Sequence, residues 1–294
     1  MDAQWINYSP PSNTTPTTLP PGADAQVTLA IEPESKEVII RSAIQGAKHS
    51  IWIEMYQFTD PNVATDLLTA ASQGIDVQVL YEAKNAPNVL FSAGQQVLPS
   101  WARPNPAVDT NGNPIIHHAK FMIIDGGIIG QEKAYIMTAN FTGDALGGTW
   151  QRTNREYIIC DTDHQDISVL MSIFSADQHK TPFQPPMASN LITTTPNLIV
   201  SAVNAHQQVR ALLDSAKQSI IIQSEVLNDP NTGSLTAQAL SIEGALANAA
   251  QLGVKDIRVM LPPQGTTDWT IPNSCPAINN LKATPTVQIK TSAN

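Results

Sequence analysis

Only two cysteines, Cys160 and Cys275, occur in 294 residues. That is too few for a disulfide-built scaffold, and neither stands in the paired spacing of a zinc site. One disulfide or none fits equally well. No stretch approaches the roughly 18 consecutive apolar residues of a membrane-spanning helix. Basic residues are scarce too: 16 Lys and Arg against 25 Asp and Glu leave a net charge of −9. Such a balance argues against bulk electrostatic binding of nucleic acid and leaves only a local basic groove open to it. The start, MDAQWINYSPPSN, has no basic segment followed by an apolar one, so no export signal is visible.

What is present is an apolar fraction of 42%, enough for a sizeable core. Residues 1–25, rich in Pro, Thr, Ser and Asn, hold too few apolar groups to fold alone and read as a flexible leader. Periodic structure follows. EVIIRSAIQGAKHS reads as a helix and IWIEMYQF as a strand; NVATDLLTAASQG reads as a helix closed by Gly74, and IDVQVLYE as a second strand. This alternation implies parallel strands with helices packed on the sheet.

The pattern occurs twice. SAIQGAKHSIWIEMYQFTD is similar to ALLDSAKQSIIIQSEVLND, and LLTAASQGIDVQVLYE to ALANAAQLGVKDIRVMLP. Two pairs in the same order imply a duplicated helix–strand–helix–strand unit, opening near residues 35 and 204. The expected organisation is a leader (1–25), a first repeat (26–185) and a second repeat (186–294), with a Pro/Thr-rich connector after the helix that begins near His164. The expected fold class is α/β, made of duplicated units with mixed, largely parallel sheets.

The stretch IIHHAKFMIIDGG carries the most chemistry. His118 and Lys120 are two apart on an expected strand and so share a face. Thr138 and Asn140 in YIMTANFTG are two apart as well, as are Asn154 and Glu156 in TNREYIICD. Each pair alone reads as ordinary structure or cross-strand hydrogen bonding. Together, on neighbouring strands, they would converge on one concave site with a nucleophile or base, a cation, a carboxylate and several hydrogen-bonding groups. That inventory suits a phosphate ester: lysine and amide donors hold the oxygens, and imidazole attacks phosphorus or moves protons. His117 faces the other way and reads as a packing or supporting residue. Glu54, an ionisable group inside a strand, needs a partner and reads as supporting too.

These residues resemble the phospholipase D superfamily, in its phospholipase D-like and cardiolipin synthase-like branch. HHAKFMIID matches the motif H-x-K-x4-D at His118, Lys120 and Asp125, and MTAN fills the following G-S-x-N with Thr138 and Asn140. Met137 replaces the motif's glycine. Asn154 and Glu156 match the later N-x-E. The resemblance implies a duplicated α-β-α sandwich and a two-step reaction. His118, Lys120 and Asp125 are then the catalytic set; Lys120, Thr138, Asn140 and Asn154 bind the phosphoryl group. Glu156, Glu54 and His117 orient the others. Asp125 has odd parity relative to His118, however, and sits at a turn, which favours a structural carboxylate. No metal or other cofactor is implied.

In that scheme one histidine becomes phosphorylated and a second, from a second copy of the motif, protonates the leaving alcohol. Histidines 49, 164, 179 and 206 lack a lysine two residues on. The repeats align Leu80 with Met260, which puts the counterpart of His118 at roughly position 298, beyond Asn294. The expectation is a longer two-motif enzyme, with a homodimer of one-motif chains as the alternative. The resemblance implies a phospholipid substrate reached by membrane-surface contact, and the acidic balance disfavours nucleic acid. The alternatives are a non-specific nuclease of the same superfamily and an inactive binding protein. Leader and family together point to a secreted or periplasmic location.

Overall fold

In the computed structural model, residues 27–91, 97–105, 116–147, 153–179, 198–200, 205–224, 242–261, 281 and 283–291 are described. The expected leader, the connector after residue 179 and Cys275 lie outside them. Two compact units form, divided between Leu198 and Ile199.

The first unit grows from the alternation seen in sequence. Helix α1 (Val38–Gly46) buries Ile40 and Ile44, one turn apart on one face. Strand β2 (Ser50–Met55) follows, then α2 (Pro61–Ser72). Asp60 caps α2 by accepting from the Asn62 and Val63 amides, and Pro61 occupies the first turn, where its missing N–H costs nothing. Gly74, at φ 88°, takes the left-handed conformation that turns the chain into β3 (Asp76–Tyr81). A short β4 (Ala102–Pro104) completes three parallel strands.

Strands β5 (Lys120–Ile124), β6 (Lys133–Met137) and β7 (Glu156–Asp161) then form an antiparallel meander, and β1 (Thr28–Glu32) closes the far edge. The sheet order is β1-β7-β6-β5-β2-β3-β4. Five of the seven strands run in one sense; β5 and β7 oppose them. The sheet is thus mixed, and its chemistry-bearing half is antiparallel.

Both faces are covered. Ile51, Ile53 and Met55 of β2 join α1 and α2 in one core. Phe121 and Ile123 of β5 join Ile167, Leu170 and Phe174 of α3 (His164–Gln178) in another. Trp52 stacks on Phe174 with ring centroids 5.3 Å apart. Burying each of these side chains contributes about 1.5–3 kcal/mol, so the layered α-β-α arrangement follows from strands that are apolar on both faces.

The second unit repeats the parallel part. Helix α4 (Ala205–Ser215), β8 (Ser219–Gln223), α5 (Ile242–Gln251), β9 (Asp256–Leu261) and β10 (Val287–Thr291) form a three-stranded parallel sheet in the order β10-β9-β8. Ser219 pairs with Asp256 as Ser50 pairs with Asp76, so the two units share residue types and register. β10 lies beside β9 as β4 lies beside β3.

Helix α3 begins with a cluster of acids. Asp163 caps it through the Gln165 and Asp166 amides, and Asp166 is 2% exposed. Burial first, and then the Asp161 and Asp163 carboxylates, push the Asp166 carboxyl up to about 7. The folded chain therefore keeps a proton that the unfolded chain releases near pH 4. Stability from this group is fully present below about pH 4 and is lost as pH rises through about 7. Asp166→Asn should flatten the decline in melting temperature across that window and leave the variant more stable than wild type above it. Melting curves between pH 4 and 8 check this; parallel curves for the two proteins would refute it.

Candidate active site

The meander explains how residues distant in sequence meet. β5 and β7 run against β6, so the start of β5, the end of β6 and the start of β7 lie at one sheet edge. His118 and Lys120 stand at the first, Thr138 and Asn140 just past the second, Asn154 and Glu156 at the third. Adjacent strands are ~4.8 Å apart, so the three pairs span roughly 10 Å. The strands are shorter than the sequence pattern implied: His118, Thr138, Asn140 and Asn154 belong to the adjoining loops. Polar groups end each ladder where its apolar run stops.

His118 is exposed, and the Lys120 ammonium reaches it, with Nζ 3.2 Å from Nδ1 and 3.5 Å from Nε2. Tyr56, just beyond β2, lies under both. Its ring centroid is 4.4 Å from that of His118 and 5.5 Å from Lys120 Nζ. The aromatic face limits where imidazole can move and favours the adjacent cation. The sequence reading had passed over Tyr56, although IEMYQF places it one residue beyond the strand end.

On the neighbouring loops, the Thr138 hydroxyl donates to Glu156 Oε2 over 2.5 Å and accepts from the Tyr157 amide. Its hydrogen is engaged, and a phosphoryl oxygen would compete with Glu156 for it. Asn140 Oδ1 accepts from the Gln57 amide, which leaves the carboxamide NH2 as the donor end. Phe141 supports this loop: its carbonyl accepts from the Thr59 and Asp60 amides, and its ring meets Phe58 edge-on at 5.4 Å. Asn154 is exposed, with its amide N–H donating to the Asp144 carbonyl. Met137, in place of the motif's glycine, is buried in the core.

His117 points away from His118. It is 6% exposed, with its amide donating to Glu82 and its Nδ1 2.8 Å from Asn105 Nδ2. Nε2 lies 3.2 Å from Glu54 Oε2, and Glu54 is fully buried. Asp177, in the last turn of α3, completes a group of three. Burial lowers the His117 imidazole to about 4, against the pull of Glu82. Burial, then Asp177, raises Glu54 well above the usual carboxylate range; burial also raises Asp177. No spacing in the sequence links positions 54, 117 and 177, so the cluster is not visible there.

Asp125 stands apart from the residues it accompanies in the motif. It follows β5, roughly 17 Å along the strand from Lys120. Its buried carboxylate accepts from the amides of Lys48, His49 and Ser50 at 2.7–3.1 Å, and its own amide donates to the Ser50 carbonyl. Its φ of 51° is a left-handed turn that Asp tolerates. The structure therefore does not bring Asp125 together with His118 and Lys120: its carboxylate ties β5 to the start of β2.

Residues 40–178 match the family model described as the phospholipase D-like domain of cardiolipin synthase. No curated protein matches the chain. Among solved structures, polyphosphate kinase from Porphyromonas gingivalis is 15% identical over 91% of this chain and 38% of its own, with a TM-score of 0.57. Phosphatidylserine synthase from Haemophilus influenzae is 13% identical over 81% and 61%, with a TM-score of 0.52. Nuc, a phospholipase D family member from Salmonella typhimurium, is 20% identical over 53% and 96%, with a TM-score of 0.43. At these identities the likeness is one of fold.

Removing the buried Asp125 carboxylate takes the acceptor from three part-buried amide donors, so Asp125→Ala should lower the unfolding free energy by about 1–3 kcal/mol. His118→Ala, at an exposed position, should change it by less than about 0.5 kcal/mol. Urea denaturation of both variants checks the contrast, and equal losses would show that Asp125 is no clamp.

Proposed function

The chain belongs to the phospholipase D superfamily through residues 40–178, and on that premise we propose that it is a phosphodiesterase or phosphatidyltransferase acting on glycerophospholipids, with His118 as nucleophile. The observation that carries this reading is the convergence of His118, Lys120, Asn140, Asn154 and Glu156 at one edge of the meander. An imidazole and a cation 3.2 Å apart, with carboxamides on the two loops at the same end of the meander, match the needs of an attacked phosphodiester.

In the first step an imidazole nitrogen of His118 bonds to phosphorus, and the bond from phosphorus to the head-group oxygen breaks. Lys120 and the Asn140 and Asn154 amides hold the non-bridging oxygens, and an acid delivers the proton that the departing alkoxide takes up. In the second step water or an acceptor alcohol attacks phosphorus, a base removes its proton, and the bond from phosphorus to the His118 nitrogen breaks, releasing the imidazole. Tyr56 holds the His118 ring in place through both steps. The family scheme draws acid and base from a second motif; in this sequence His118-x-Lys120 is one copy.

Two features favour lipid over nucleic acid: the net charge of −9 and the match to a domain named for cardiolipin synthase. Phosphatidylcholine labelled with phosphorus-32 tests the proposal. Wild type should retain a phosphate label that is stable to base and labile to acid, and His118→Ala should retain none. Lys120→Ala should lower choline release by about 10²–10³. Plasmid cleavage without choline release, or equal labelling of wild type and His118→Ala, would overturn it.

A further inference from the structure

Behind the exposed His118, its neighbour His117 meets Glu54 of β2 and Asp177 of α3 in a buried group whose ligand atoms all lie within 4.8 Å of one another. Glu54 Oε1 and Oε2 and His117 Nε2 are buried with no hydrogen-bonding partner in good geometry. Trp52, Phe121 and Phe174 form the apolar cluster on this face of the sheet, while the polar neighbours of His117 are Glu82, which accepts from its amide, and Asn105. The charge that bears on Glu54 is the negative one of Asp177. Two carboxyls and an imidazole in such a place are stable only if a positive charge joins them. That charge is either a proton shared between the carboxyls or a cation held by all three groups.

We propose that Glu54, His117 and Asp177 bind a divalent cation of the zinc class. A tetrahedral ion with its ligands at about 2.0–2.2 Å sets them roughly 3.3–3.5 Å apart, and the Glu54–His117 edge already measures 3.2 Å. Small side-chain rotations bring in Asp177, which is half-buried and at the end of its helix. One imidazole and two carboxylates form a donor set that suits zinc, with a fourth position for water or for the second Glu54 oxygen. Ligation through Nε2 places the His117 proton on Nδ1, 2.8 Å from Asn105 Nδ2; turned over, the Asn105 carboxamide oxygen accepts that proton, and the 3.2 Å bond that its NH2 donates to Asp177 Oδ2 is given up for the bond from Asp177 to the ion. The three ligands come from β2, the segment entering β5, and α3. The ion therefore anchors the backbone that presents His118, while lying on the other side of it. This site stands whether or not the phosphodiesterase reading does.

Binding is measured on the full chain, stripped with chelator and titrated with zinc ion alone. The expected result is one tightly bound equivalent by calorimetry and elemental analysis, with a melting temperature that rises on zinc addition. Asp177→Asn and Glu54→Gln should each weaken that equivalent by more than the roughly 10–100-fold carried by supporting groups around metal ligands. Circular dichroism confirms that the variants are folded, and the half-buried Asp177 is the safer of the two positions. Cobalt substitution should give visible bands of a tetrahedral ion in wild type and not in Asp177→Asn. Zinc bound equally well by wild type and both variants would overturn the proposal by placing the ion elsewhere. A wild type that takes up no stoichiometric zinc would overturn it in favour of the shared proton.

Discussion

The Asp125 carboxylate, accepting from three consecutive amides at Lys48, His49 and Ser50, is the contact on which the candidate site depends. It fixes how β5 lies against β2, from Ile51 opposite Ile124 to Met55 opposite Lys120. Side chains alternate along a strand, so a slip of one residue would exchange the faces of His117 and His118. An exposed imidazole beside Lys120 would become a buried one, and a buried imidazole would be pushed into solvent. The motif's aspartate thus serves the site from the far end of the strand by setting register.

Register also explains why adjacent histidines have opposite environments. His118 has Tyr56 beneath it and a lysine at hydrogen-bonding distance. His117 is enclosed by Glu54, Glu82, Asn105 and Asp177, and burial holds its imidazole down to about 4. A strand entering a sheet covered on both faces offers one side chain to the open edge and the next to the interior. The inner group then stiffens the backbone from which the outer one projects.

Much of this could be read in the sequence because it is periodic. The α1-β2-α2-β3 unit and its repetition follow from apolar spacing, and the structure pairs Ser50 with Asp76 and Ser219 with Asp256 in the same way. The grouping of His118, Lys120, Thr138, Asn140, Asn154 and Glu156 followed from parity and order along the chain. Strand ends were less legible, because polar residues in a loop beyond a ladder look like polar residues within it. The Glu54–His117–Asp177 group was invisible as a group: each pair of positions is at least 60 residues apart, and only packing of α3 on the sheet joins them. Asn105 and Glu82 escaped for the same reason.

The two halves of the first sheet divide the labour in a way that pairing geometry dictates. In the parallel half, β2, β3 and β4 bring the same type of end to the same edge, and the residues that follow them, Tyr56, Glu82 and Asn105, form a supporting layer. In the antiparallel half, successive strands bring a start, an end and a start, so three polar pairs from short loops arrive side by side. The second unit's described strands are all of the parallel kind, in the order of β2, β3 and β4. What the described parts of the two units share is therefore the parallel scaffold. The three polar pairs of the candidate site belong to the meander of the first unit.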